Sequence, residues 1–205
     1  YLIIMNEPYA LINISLLISI GIISLMGFQN YSIIEQFKHY PFEENKSKSY
    51  YRWFTCTFLH GNYLHLFLNA FVLWQFGFTV EKLYQTKFGF YEGMAIFLGV
   101  YIALAILSSI PTFIKYKNNP NYSSIGASGV ISGLLFIYIL YYPMNILLIY
   151  GIIPMPAFLM GILYLGYSWW ASKKQTDGID HEAHFWGAAF GLLIGILLDP
   201  TSIFY

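Results

Sequence analysis

The sequence predicts an all-α, polytopic membrane protein, a bundle of six transmembrane helices. Three observations predict it. Only 10% of the 205 residues are charged, where a soluble domain carries roughly 25%. Hydrophobic residues make up 58% and aromatics 20%, and the mean hydropathy is +0.57. Apolar stretches approaching the roughly 20 residues that span a bilayer recur along the whole chain.

The elements follow in order. The first span covers about 10–28. An interfacial connection, about 29–63, comes next. It mixes Glu35, Lys38, Glu43, Glu44, Lys46, Lys48 and Arg52 with Tyr50, Tyr51, Trp53 and Phe54. Aromatics beside charges suit the membrane–water boundary, so this loop is expected to lie on the bilayer. The second span, about 64–80, opens from a polar turn, His60-Gly61-Asn62. The third, about 91–110, ends at Pro111. The fourth, about 128–141, looks short, and Pro143 and Asn145 break it from the fifth, about 146–170. The sixth, about 183–198, ends at Asp199-Pro200. No repeat, soluble domain or strand pattern stands out, so residues 1–205 are expected to form one membrane domain. The net charge of zero argues against a nucleic-acid partner. The single cysteine, Cys56, excludes an internal disulfide.

Polar groups inside spans are costly, and they default to a functional hypothesis. His65, Asn69, Ser128 and His184 stand out. Singly, each has a bland reading: a cap or packing serine, an interhelical asparagine, a hydrogen-bonded core histidine. Their placement says more. His65 and Asn69 are i, i+4 and share a helix face, as paired donors to one developing oxyanion would. Ser128 opens a span, where free backbone N–H groups and the helix dipole favour negative charge. His184 lies one turn before Gly187, and Gly187 and Gly191 form a small-xxx-small face that allows close helix approach. Gly129 adjoins Ser128 in the same way. Pressing these faces together brings the serine hydroxyl towards a base, the minimum for nucleophilic catalysis. His65, Ser128 and His184 each open an even-numbered span. All such spans start on one side, so the three groups share a depth.

Two motifs fail. HEAH, at 181–184, has the wrong histidine spacing for a zinc protease helix. Gly126-Ala127-Ser128-Gly129-Val130 departs from G-x-S-x-G at its last position. Neither a metal nor a cofactor is expected.

The ordered set resembles the rhomboid family of intramembrane serine proteases. Its pieces are Tyr51-Arg52 followed by FTCTFLH; His60-Gly61-Asn62-Tyr63-Leu64-His65 through Asn69; Val80-Glu81-Lys82; Gly126-Ala127-Ser128-Gly129; and Ala183-His184-Phe185-Trp186-Gly187 with Gly191. They cover about residues 50–195. The resemblance implies a six-helix core with a water-filled cavity. It implies Ser128 as nucleophile, His184 as general base without a carboxylate, and His65, Asn69 and the Ser128 amide as the oxyanion site. It implies that Arg52 shapes the interfacial loop and that Glu81 anchors the far, cytoplasmic end. The fifth span and the loop 172–182 would form a lateral gate and cap. Substrates would be single-span membrane proteins, cut near small residues. The location implied is a bacterial-type cytoplasmic membrane with the site facing outward. A count of lysines and arginines opposes that orientation, but it is taken over loops of mixed charge.

Two departures accompany the match. Members often carry an aromatic four residues after the nucleophile, stacked on the catalytic histidine; here that position is Ser132. The imidazole is then held by another aromatic, or less tightly. The Trp-Arg pair of many members is Tyr51-Arg52. Two rival functions stand beside the protease: a catalytically silent rhomboid that binds membrane proteins, and a small transporter.

Overall fold

A computed structural model describes residues 9–149, 152–174 and 178–204. These form a polytopic helical bundle. α1 (Leu11–Gln29) leads into three short interfacial helices, α2 (Tyr31–Phe37), α3 (Pro41–Ser47) and α4 (Arg52–Thr55). α5 (Tyr63–Val72) continues through a wide turn, Leu73–Gly77, into α6 (Phe78–Phe88). α7 (Phe90–Tyr116), α8 (Ser128–Tyr141), a hairpin of β1 (Ile146–Ile149) and β2 (Ile153–Pro156), α9 (Ala157–Lys174) and α10 (His181–Leu198) complete it.

Among the described residues, four helical stretches are long and apolar enough to cross a membrane: Leu11–Gln29, Tyr63–Phe88, Phe90–Tyr116 and His181–Leu198. α8 is apolar but has only 14 residues. α9 has 18 and ends in Trp169, Trp170, Lys173 and Lys174. Its two lysines lie over the two indoles, at 3.4 and 4.1 Å from the ring centroids, the pairing expected at a membrane boundary. Exposed Ile18, Phe67, Phe71, Ile162 and Leu197 give the bundle an apolar outer surface suited to lipid.

The uncharged α8 is buried nearly all round, as a helix without a polar face must be. It sits at the centre, and α7 and α10 pack on it. Leu104, Leu134, Ile137, Phe97 and Tyr101 are fully buried in the main core. Lipid removes the hydrophobic drive for helix association, so close packing has to supply it. Small residues do this between α8 and α10. A methyl group at Gly187 would overlap the Gly129 carbonyl oxygen, and one at Gly191 would overlap that of Gly133.

Two expectations need correction. The third span does not stop at Pro111: α7 runs on to Tyr116 with Pro111 inside it. Proline removes one backbone bond, and tertiary packing outweighs this. Thr112 is fully buried and donates to Asp180, and the Tyr116 ring stacks on Tyr122 at 3.8 Å. The fifth predicted segment, 146–170, opens as a β-hairpin rather than a helix, against the expectation of no strand. Its register pairs Ile146 with Pro156 and Leu148 with Pro154. Prolines two apart break a helix, yet both turn their missing N–H away from the partner strand. The interfacial connection 29–63 is built largely of short helices, α2 to α4. Residues 150–151 of the fifth predicted segment and 175–177 of the predicted cap loop lie outside the described residues.

Glu81 is fully buried at the end of the bundle away from Ser128. Its carboxylate accepts from the backbone N–H groups of Ile12 at 3.0 Å and Asn13 at 2.7 Å, and from Gln85 Nε2 at 3.2 Å. α1 begins at Leu11 with no side-chain cap of its own, so Glu81 caps it from another helix. Glu81→Ala leaves buried donors unpaired and is expected to cost about 1–3 kcal/mol. Thermal unfolding in detergent checks this as a lowered Tm.

Candidate active site

The site is assembled at the ends of α5, α8 and α10 that face one another. α5 starts at Tyr63 because Asn62 caps it, its side chain accepting from His65 N–H at 2.8 Å. α10 starts at His181 because Asp180 caps it, accepting from Ala183 N–H at 2.9 Å. Asp180 also accepts from Thr112 Oγ1 on α7 and from Ser124 Oγ, both at 2.9 Å. One carboxylate therefore ties α7, the segment leading to Ser128, and the helix carrying His184. Sequence reasoning missed Asp180. The signal was present, since an Asp just before an apolar helical run is an N-cap pattern.

His184 Nε2 lies 2.7 Å from Ser128 Oγ. Ser128 is the first residue of α8, so its own N–H is one of the free donors of that helix end. The two residues meet because Gly129 and Gly187 let α8 and α10 approach at backbone distance. At Gly129 itself a Cβ would come within 2.8 Å of Ser108 Oγ and 3.4 Å of Ala183 Cβ. Gly126, just before, has φ of 127°, a conformation that favours glycine. A Cβ there would come within 2.9 Å of the His65 ring.

His65, Asn69, Ser128 and His184 line one cavity of about 520 Å³, together with Asn62, Ile179 and Asp180. His65 Nδ1 accepts from Gly61 N–H at 3.4 Å, which assigns its proton to Nε2, the nitrogen nearest Gly126. Asn69 donates through Nδ2 to the His65 carbonyl at 2.9 Å and keeps a second amide proton. His60 packs edge-on against His65, with ring centroids 4.8 Å apart. Its Nδ1 meets Ser24 Oγ at 2.9 Å, and Ser24 spends its own proton on the Phe58 carbonyl at 2.9 Å. Nδ1 of His60 is therefore the donor. Burial, and then the neighbouring His65, push the His60 imidazole down to about 3, so it is neutral at physiological pH.

The interfacial helices are fastened to this site. Arg52 is buried, and its Nη1 donates to the carbonyls of Glu35 at 2.9 Å and Lys38 at 3.1 Å. Glu44, fully buried, accepts from Tyr40 N–H, from Trp53 Nε1 and from His39 Nδ1. The His39 backbone in turn exchanges two hydrogen bonds with Ser124, four residues before Ser128.

Ser132 does not carry the aromatic ring that the resemblance led one to expect. Its hydroxyl donates to the Ser128 carbonyl at 2.7 Å and meets Tyr164 Oη at 2.5 Å. The Tyr164 ring, from α9, lies near-parallel to the His184 imidazole, at 6.3 Å between centroids and 21° between planes. No local signal marks Tyr164, because it reaches His184 across a helix interface.

Fold and site together define a polytopic helical membrane protein with a serine and a histidine paired beside a cavity. Residues 47–200 match the model of the rhomboid domain, and the chain belongs to the rhomboid family. It is similar to the RHOMBOID-like protein 4 of Arabidopsis thaliana, with 28% identity over 155 residues, covering 72% of this chain and 34% of that protein. The chain thus spans about a third of that relative's length.

Proposed function

We propose that this protein is an intramembrane serine endopeptidase that cuts single-span membrane proteins with a Ser128–His184 dyad, residues 1–205 acting as one membrane domain. The 2.7 Å contact between Ser128 Oγ and His184 Nε2, at the wall of the cavity, carries the reading. A substrate segment unwinds into the cavity. His184 Nε2 takes the hydroxyl proton as Ser128 Oγ bonds to the scissile carbonyl carbon. The resulting oxyanion is met by the Ser128 amide, by His65 Nε2–H and by Asn69. Collapse of the adduct breaks the C–N bond, and His184 returns its proton to the leaving amine. Water then attacks the acyl-enzyme, again losing a proton to His184, and the serine is freed. By analogy with the family, the site faces outward across a bacterial-type cytoplasmic membrane.

The test is incubation of purified protein with a single-span model substrate, beside labelling by a fluorophosphonate probe. Cleavage and labelling that both vanish in Ser128→Ala are expected. Retained cleavage by purified Ser128→Ala sinks the assignment. A fold-intact wild type that neither cleaves nor labels favours a silent, substrate-binding rhomboid. His65→Ala is expected to lower kcat about 10²- to 10³-fold with KM little changed, as for loss of one preorganised donor. Asn69→Ala is expected to cost less, since one of its amide protons is committed to the His65 carbonyl.

A further inference from the structure

Ser132 is one turn below Ser128 on the same face of α8, is 2% exposed, and is a buried polar side chain among the apolar residues 130–137. A buried hydroxyl in a membrane bundle has to find partners. Ser132 finds two. Its single proton goes to the Ser128 carbonyl, so its oxygen accepts the proton of Tyr164 Oη. The phenol is thereby fixed at its far end, while its ring lies over His184. Near-parallel offset rings at this separation attract. His181 closes against the imidazole edge-on, at 5.6 Å and 81°. Tyr167, one turn along α9 from Tyr164, backs His181 in the same way, at 5.5 Å and 88°. α9 thus supplies the rings that bear on both histidines of α10.

We infer that Tyr164 is the positioning residue that holds the His184 imidazole in line with Ser128, and that Ser132 is its anchor. The inference rests on the dyad reading above. A ring grown from position 132 would occupy the space that Tyr164 now fills, so the two arrangements exclude each other. The orientation of the base depends on α9, whose buried residues are small, Ala157, Gly161, Ser168, Ala171 and Ser172, with Met160, Tyr164 and Leu165 packed part-buried on the core. Displacing α9 slackens the dyad as well as opening the bundle.

The test measures kcat and KM on a single-span substrate, the rate of fluorophosphonate labelling, and Tm, for six variants in detergent. Tyr164→Leu is expected to lower kcat and labelling rate about tenfold with KM unchanged, the size of one ring-pair contribution. Tyr164→Phe keeps the ring and is expected to lose about threefold. Ser132→Ala also gives up the bond to the Ser128 carbonyl, so it should lose at least as much as Tyr164→Phe, and the two together should be no worse than Ser132→Ala alone, because the Ser132–Tyr164 bond is then already gone. Tyr164→Ala with Ser132→Phe should recover kcat relative to Tyr164→Ala. A merely structural role would lower Tm and leave kcat of the folded protein unchanged, which overturns the proposal. Wild-type kcat in Tyr164→Leu, or additive losses in the Phe and Ala pair, overturn it as well. If Tyr164→Leu fails to fold, the conservative pair decides alone. A wild type that is neither labelled nor active overturns the dyad reading, and this inference with it. An active wild type beside an indifferent Tyr164 overturns this inference only.

Discussion

Ser128→Ala and His184→Ala are each expected to abolish measurable cleavage, a loss on the order of 10⁶ in kcat, and the double variant to lose no more than either. The reason is geometric. The serine hydroxyl is a poor nucleophile until a base takes its proton, and His184 Nε2, at 2.7 Å, is the base within reach. Removing either partner removes the same step, so the losses cannot add. Additive losses would mean that the two residues act separately, and the dyad would fall. Both substitutions leave the helix contacts at Gly129 and Gly187 untouched. Unfolding temperatures close to wild type are therefore expected alongside the lost activity, and they separate a chemical from a structural effect.

The parts of this molecule that could be read from sequence are those set by span boundaries and by short spacings. His65 and Asn69 share a face because they are one turn apart. Ser128 and His184 stand at helix starts because a charge-poor run and an Asp cap begin there. Pro111 misled because its effect on the backbone is local, while Thr112 and Tyr116 are held by partners distant in sequence. The β-hairpin was hidden inside an apolar stretch that hydropathy alone reads as helix. Tyr164 lay beyond any local rule. Only the crossing of α9 over α8 and α10 brings a ring from residue 164 to residue 184, and Ser132 reads as an oddity until that crossing is known.

Gly187→Ala is expected to lower kcat at least about 10²-fold, although the residue touches no reacting atom. The added methyl would overlap the Gly129 carbonyl oxygen, and backbone cannot yield as a side chain does. α10 must then move away from α8, carrying His184, one turn earlier, off the Ser128 hydroxyl. A shift of about 1 Å at reacting atoms is enough for a loss of that size. The same helix provides its own controls. Gly191→Ala meets the Gly133 carbonyl one turn further from His184, so it should cost stability comparably and activity less. Gly195→Ala comes closest to the tip of Leu140, at 2.8 Å, a flexible end that can swing aside, meets Ile137 at ordinary contact distance, and should approach wild type in both. Activity and Tm measured across the three variants give a graded series if helix approach sets the dyad distance. Equal activity losses at positions 187 and 195 would show instead that α10 tolerates no change anywhere, and the close approach at Gly187 would then have no special bearing on His184.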